Sequence, residues 1–243
     1  NEDYSSKQVD LTAEVNVDYA RNDASAFREY AMNILGIPEQ NITLLLDATT
    51  GQMNQAIARM NLIMKNAKGK GELFVYYAGH GLPDEVTREP YIMPVDISGQ
   101  NAKDGIKLYD LYGKLTEHPA KRVVVFIDAC FSGGARNKAL VAARGVKVRP
   151  AEGVLRGNIA ILSATSGDQT ALPYKDKKHG FFTYYLLKKL KETKGNISYQ
   201  ELVEYLSDVI PLQSVLLNNK EQTPTNKLGI DSNEDLNSWV LVR

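Results

Sequence analysis

Two short apolar segments constrain the fold of this chain more than any other feature of its sequence. Residues 73–77 and 123–127 are apolar almost throughout, with no alternation of polar and apolar residues. A strand exposed to water on one face would show that alternation, whereas a strand in a parallel sheet is buried on both faces. These segments therefore predict a parallel sheet that is covered by helices on either side.

Segments with helical spacing of apolar residues separate the predicted strands. Helices are predicted at residues 23–35, 53–64, 108–117, 181–190 and 198–210, and Thr49 with Gln52 forms a capping-box pattern ahead of the second. Further strands are predicted at residues 42–46, 91–95, 159–162 and 238–242, with 91–95 at a sheet edge because of Pro90 and Pro94. Strands that alternate with helices are typical of an α/β fold. Since no repeat or change of composition divides the chain, we expect one domain over residues 1–243.

Charge and cysteine content exclude several classes of function. Lys plus Arg and Asp plus Glu both total 29, so the net charge is zero, and we expect neither a nucleic-acid nor a membrane partner. The longest apolar run, residues 73–78, is too short to span a bilayer. A single cysteine, Cys130, excludes an internal disulfide and a cysteine-rich zinc site. Neither the compartment nor the oligomeric state is indicated.

That cysteine and one histidine follow the two apolar strands. Residues 78–81 read Ala-Gly-His-Gly and residues 128–131 read Asp-Ala-Cys-Phe, which places His80 and Cys130 where open α/β sheets bind ligands. An imidazole beside a thiol favours the reactive thiolate and can then protonate a leaving amine. Neighbouring strands would thus form a nucleophile–base pair, with glycine N–H groups available to an oxyanion. His118 and His179 lack this context and are interpreted as surface or structural residues.

These motifs carry a family resemblance. Residues 76–81 and 128–134 closely resemble the His and Cys signatures of the caspase-like cysteine peptidases, and the spacing of 50 residues matches the roughly 50 of caspases. Residues 22–24, 93–96 and 163–170 resemble further landmarks. The resemblance implies a three-layer sandwich with a mostly parallel central sheet and helices on both faces. It also implies that the first strand of the family precedes residue 1.

The resemblance assigns roles to the site. Cys130 would be the nucleophile and His80 the general base and acid, with the backbone N–H groups of Gly81 and Cys130 forming the oxyanion hole. This mechanism needs no cofactor. The substrates would be peptides or proteins.

Asp128 stands two residues before the cysteine, where caspases carry Gln, and this resembles the metacaspase, paracaspase and bacterial orthocaspase branch. In metacaspases the matching positions, Asp23 and Asp128, line an acidic S1 pocket, which implies cleavage after Arg or Lys. Asp168 is a further candidate for selecting the P1 side chain. Each aspartate also has an alternative, structural role. Asp23 is suited to cap the helix predicted to begin there, and Asp128 could orient its own loop through hydrogen bonds.

A long basic segment, residues 132–158, follows the cysteine where caspase-like enzymes carry the linker between their subunit portions. It is a candidate site of self-processing or, alternatively, a solvated loop without a role in activation. Its basic residues are Arg136, Lys138, Arg144, Lys147, Arg149 and Arg156.

Calcium activation, common among metacaspases, is not expected here. Asp96 and Asp110 are the candidate ligands, but the family's adjacent Asp pair is lacking and Asn137 stands where an acid is expected. We therefore predict no metal.

Other functions fit the sequence less well. A clostripain- or gingipain-type peptidase with basic specificity would use similar motifs, and a catalytically silent caspase-like module would bind partners without needing the His80–Cys130 pair. A flavodoxin-like binding domain would carry a phosphate loop after its first strand, and neither a Gly-x-Gly-x-x-Gly nor a Walker pattern is present.

Overall fold

A computed structural model describes residues 16–131, 149–229 and 236–242 of the chain. The helices are α1 (Ala20–Asn33), α2 (Thr50–Ala67), α3 (Leu108–Leu115), α4 (Phe181–Thr193) and α5 (Tyr199–Asn218). The strands are β1 (Glu72–Ala78), β2 (Gly81–Pro83), β3 (Pro90–Ile92), β4 (Ile106–Lys107), β5 (Arg122–Asp128), β6 (Ile159–Ser163), β7 (Pro173–Tyr174), β8 (His179–Gly180) and β9 (Thr225–Leu228).

The central sheet has the order β1-β5-β6-β9. β1 pairs with β5 and β5 with β6 in parallel, whereas β9 runs antiparallel to β6. Two smaller antiparallel sheets, β2-β3-β4 and β7-β8, lie apart from it. The predicted α/β fold with a mostly parallel sheet is confirmed.

Alternate residues of the central strands pack on opposite faces of the sheet. Val124 and Phe126 of β5 belong to a core cluster with residues of α1, α4 and α5. Val123 and Val125 belong to a second cluster with residues of α2 and α3. Because helices cover both faces, every residue of β5 is buried, and this explains its continuously apolar sequence.

The strand predicted at residues 42–46 is wrong. Ile42 has an extended backbone, but this segment pairs with no strand among the described residues. The side chains of Leu44, Leu45 and Leu46 are 37–44% exposed. An apolar run alone does not make a strand, since backbone N–H and C=O groups need a neighbour to pair with.

Other boundaries differ because tertiary contacts outweigh local sequence. α1 begins at Ala20, before the predicted residue 23, and α5 continues through Pro211 to Asn218. β3 is the central strand of its small sheet rather than an edge strand. The predicted last strand at 238–242 is reduced to one bridge, between Ser198 and Val240, and β9 was missed.

The capping box ahead of α2 is confirmed, since the Thr49 side chain accepts from Gln52 N–H and the Gln52 side chain from Thr49 N–H. Among the described helices, none has both the length and the apolarity to cross a membrane.

Candidate active site

The parallel register of β1 and β5 places the two predicted catalytic residues at the same height on one sheet edge. The register pairs Ala78 with Asp128 at the carboxyl ends of the two strands. His80 and Cys130 each follow two residues later, and both side chains are 3% exposed. The strand order thus brings to one edge of the sheet two strand ends that are far apart in sequence.

Gly81 confirms how closely the two strand tips approach. A Cβ atom at this position would lie 2.9 Å from the carbonyl oxygen of Cys130 and 2.4 Å from Cε1 of Phe131. Since real Cβ atoms do not approach other atoms so closely, only glycine fits here without a shift. The segment after His80 therefore lies against the backbone of Cys130.

A short hairpin fixes the chain that follows His80. β2 pairs with β3, and in the turn between them Asp84 Oδ1 accepts from the N–H groups of Val86 and Thr87. The hydrogen bonds from Thr87, above all that from its N–H, hold the pKa of Asp84 below its usual range. At the base of the hairpin, the His80 carbonyl oxygen accepts from Met93 N–H at 3.1 Å and from the Tyr77 hydroxyl at 2.7 Å.

Asp128, the last residue of β5, lies beside the start of helix α4 and is fully buried. Its Oδ2 accepts from Thr183 N–H at 3.1 Å and from the Thr183 hydroxyl at 2.6 Å. The Tyr76 hydroxyl lies 2.5 Å from the same Thr183 oxygen. Asp128 therefore provides an acceptor for the first turn of α4.

Asp23 reaches the same helix end from α1 and is also fully buried. Its Oδ2 accepts from Gly180 N–H at 2.8 Å, and its Oδ1 lies 2.7 Å from His179 Nδ1. The alternative that Asp23 caps its own helix is wrong, because the N-cap of α1 is Tyr19.

The two carboxylates thus hold one segment, since Gly180 is the N-cap of α4 and Thr183 lies in its first turn. Gly180 offers no side-chain cap of its own, and the first N–H groups of a helix need outside acceptors. The partners Thr183 and His179 were not predicted, because no local sequence pattern links positions so distant along the chain.

Asp168 does not join this group. Its side chain is exposed, and it lies in the segment after β6 that approaches Cys130 through a weak contact of 3.4 Å between the Thr165 hydroxyl and Ala129 O. No described contact joins Asp168 to Asp23 or Asp128.

The basic segment is described only in its last part. Arg149 and Arg156 are both exposed, whereas Arg136, Lys138, Arg144 and Lys147 lie outside the described residues. Ala151 N–H donates to Arg88 O in the hairpin after His80 at 2.7 Å, and Glu152 pairs with Lys227 at 2.9 Å.

The candidate calcium ligand Asp96 has a structural role. Its Oδ1 accepts from Thr50 N–H at 2.8 Å and so supports the start of α2. Among the described residues, no three His, Cys, Asp or Glu side chains come together as a metal site would require.

Comparison with known proteins places the chain in a family. The model of the caspase domain, the C14 peptidase family, matches residues 1–230. The chain belongs to the caspase domain family. A search of curated proteins found no match.

Solved structures share the caspase fold with this chain. A protein from Geobacter sulfurreducens is similar with a TM-score of 0.61 and 20% identity, over 88% of this chain and 85% of that one. Caspase-1 from Spodoptera frugiperda is similar with a TM-score of 0.55 and 14% identity, over 85% of this chain and 77% of that one. The resemblance to caspase-like cysteine peptidases is thereby confirmed at the level of family and fold.

Proposed function

We propose that this caspase domain is a cysteine endopeptidase in which Cys130 is the nucleophile and His80 the general base and acid. The observation that carries the proposal is the register of β1 and β5, since both residues follow a paired position, Ala78 and Asp128, by the same two residues. The approach of Gly81 to the Cys130 carbonyl supports it, because the two tips must be close for a proton to pass between them.

The first step forms a thioester. His80 takes the thiol proton as Cys130 Sγ attacks the scissile carbonyl carbon, and the carbonyl oxygen becomes an oxyanion. The N–H groups of Gly81 and Cys130 would donate to that oxyanion. When the intermediate collapses, the C–N bond breaks and the leaving amine takes the proton from His80.

The second step returns the enzyme to its starting state. His80 removes a proton from water, whose oxygen attacks the thioester carbon. The C–S bond breaks, the carboxylic acid leaves and Cys130 recovers its proton from His80. Neither step uses a cofactor or a metal.

We propose further that the enzyme cleaves after Arg or Lys, as in the metacaspase-like branch, because Asp23 and Asp128 converge on one helix end. Their hydrogen-bond partners are the N-cap residue Gly180 and Thr183 in the first turn of α4, so both carboxylates lie at the N-terminal end of that helix. Two carboxylates that face one guanidinium form a charge-assisted clamp. Asp168, exposed and outside this group, is the weakest of the three candidates.

Matched peptides test this proposal. We would measure kcat/KM on fluorogenic peptides that differ only at P1, with Arg, Lys, Asp or citrulline, the neutral counterpart of Arg. Wild type should cleave after Arg and Lys, and Cys130→Ala should cleave none of the peptides. In Asp23→Asn, which keeps an oxygen for Gly180 N–H, the preference for Arg over citrulline should fall. Cleavage only after Asp would refute the acidic pocket but not the dyad. If folded wild-type protein cleaved none of the peptides, the proposed peptidase function would be refuted.

Self-processing in the basic segment is a further part of the proposal. The described residues reduce the number of candidate cleavage sites. Arg149 precedes Pro150, whose ring crowds the nitrogen that would leave. Arg156 lies between Leu155, which is 5% exposed, and Gly157, whose φ is +84° and whose Cβ would meet Thr116 at 2.8 Å. An extended substrate conformation is therefore hard to reach at Arg156. We expect cleavage after one of the other four basic residues, Arg136, Lys138, Arg144 and Lys147.

Mass spectrometry of the purified protein would identify the new termini, with Cys130→Ala as the control. Fragments that end at any of these four residues in wild type alone would support self-processing. An intact chain that is fully active on peptides would contradict it.

A further inference from the structure

The carbonyl oxygen of His80 is held from two sides. The Tyr77 hydroxyl donates to it at 2.7 Å, and Met93 N–H donates to it at 3.1 Å. Tyr77 lies near the end of β1, three residues before His80, and its ring packs beside the apolar cluster under α2 and α3. This hydroxyl takes no part in the proposed thiol chemistry of Cys130 and His80.

This oxygen belongs to the same peptide group as the N–H of Gly81. A peptide group is planar, and no cis bond occurs among the described residues. The N–H therefore points opposite to the C=O, and two hydrogen bonds that fix the direction of the oxygen also fix the direction of the Gly81 N–H.

The hairpin ladder shows where that N–H points. Gly81 is directly opposite Ile92, and the neighbouring bond runs from Met93 N–H to His80 O. In an antiparallel ladder this arrangement identifies Gly81 and Ile92 as a non-hydrogen-bonded pair, whose own N–H groups face away from the partner strand. The Gly81 N–H thus faces away from β3.

We propose that Tyr77 is a positioning residue for the oxyanion hole, because its hydroxyl aims the Gly81 N–H through the shared His80–Gly81 peptide. This inference rests on the proposed peptidase function. A carbonyl that accepts hydrogen bonds also polarises its peptide group, which strengthens the N–H as a donor. The hydroxyl acts on the backbone of His80, so its loss should leave the thiol chemistry of Cys130 intact.

Strand alternation keeps this role separate from substrate selection. The hydroxyl of Tyr76, the preceding residue, lies on the other face of the sheet and contacts Thr183 beside Asp128. Tyr77 and Tyr76 therefore support different parts of the candidate site, and Tyr77→Phe removes one hydroxyl without altering the acidic residues.

The test compares Tyr77→Phe with Tyr199→Phe. Tyr199→Phe is a matched control, because it removes a buried tyrosine hydroxyl that donates over a similar distance, 2.8 Å, to Asn226 Oδ1 elsewhere in the fold. Four quantities are measured: kcat and KM on a P1-Arg peptide, the affinity for a P1-Arg peptide aldehyde, and the rate of Cys130 alkylation by iodoacetamide. The aldehyde forms a tetrahedral adduct that uses the oxyanion hole, and alkylation does not.

In Tyr77→Phe we expect kcat and aldehyde affinity to fall about tenfold, with KM and the alkylation rate unchanged. Complete loss of an oxyanion donor costs roughly 10²–10³ in kcat, and Met93 N–H still holds the peptide here, so the loss should be smaller. Tyr199→Phe should leave all four quantities at wild-type values.

Two results would overturn the inference while the peptidase function stands. One is a wild-type kcat in Tyr77→Phe. The other is alkylation slowed as much as kcat, which would show that the hydroxyl acts on the dyad. Failure of the proposed function would be distinct, because wild type itself would then cleave no peptide, and the inference would fall with it.

Discussion

Substitution of Gly81 by alanine tests the geometry of the site most directly. The added Cβ would lie 2.4 Å from Cε1 and 2.5 Å from Cδ1 of Phe131, and 2.9 Å from the Cys130 carbonyl oxygen. Carbon atoms in contact prefer separations of about 3.5–4.0 Å. The strand tip or the Phe131 ring must therefore move by about 1 Å.

The expected effect on catalysis is larger than the effect on stability. Overpacking of this kind costs about 1–3 kcal/mol in the free energy of unfolding. A misplacement of about 1 Å at a reacting centre costs roughly 10²-fold in rate. We therefore expect Gly81→Ala to fold and to lose about 10²-fold in kcat on a P1-Arg peptide.

Gly113→Ala provides the matched control. Gly113 lies in α3, where a Cβ would meet no atom within 4 Å. This change should stabilise the protein by about 0.5–1 kcal/mol, because alanine favours the helix over glycine, and should leave kcat unchanged. Thermal unfolding and kcat are measured on both variants.

A wild-type kcat in Gly81→Ala would refute the reasoning, because the close approach of the two strand tips would then be irrelevant to the chemistry. Equal losses of activity in Gly81→Ala and Gly113→Ala would also refute it, since only the first substitution meets a crowded neighbour.

Two further predictions concern stability. Asp128→Ala leaves the buried N–H of Thr183 without its acceptor and should lower the free energy of unfolding in urea by about 2 kcal/mol. Asp168→Ala, at an exposed position, should change it by less than about 0.5 kcal/mol. Equal effects of the two substitutions would contradict the capping role of Asp128. Burial raises the pKa of Tyr185 to about 12 from 10.0 and raises that of Tyr199 further. The unfolded chain loses these protons near pH 10, whereas the folded chain keeps them. The stabilisation from these two tyrosines should therefore be fully present below pH 10, and the free energy of unfolding should fall as the pH rises toward 12. Titration of tyrosine absorbance beside unfolding curves measures this, and an unfolding free energy that stays constant from pH 9 to 12 would contradict it.

The sequence predicted the central strands of the fold well, together with the strand ends that carry His80 and Cys130. Continuous burial makes the 123–127 strand apolar throughout, and glycines mark the strand tips at His80 and Cys130, so both signals are local. The edge of the sheet was predicted less well. Residues 42–46 carry the same apolar signal as a buried strand, but the partner that decides between strand and coil lies outside the local sequence.

The contacts around the acidic residues could not be predicted from the sequence. Asp128 and Thr183 meet because β5 ends beside the start of α4, and Asp23 meets His179 across two elements of the same layer. Such pairs depend on how helices pack over the sheet, and a single sequence contains no periodic signal for them. The resemblance implied that the two carboxylates act as a pair, and the structure shows the helix end from whose N–H groups both accept.

In the proposed S1 pocket, the shared helix end would stabilise the fully buried carboxylates of Asp23 and Asp128 before a substrate binds. A buried charge without partners is costly, yet Asp23 and Asp128 accept N–H donors from the first residues of α4. The positive end of the helix dipole further stabilises negative charge at that position. An Arg or Lys side chain that entered here would meet carboxylates whose charge is already supported, so the cost of burying them is met by the fold rather than by the substrate. A neutral P1 side chain would gain little from the site, because it brings no positive charge to the two carboxylates.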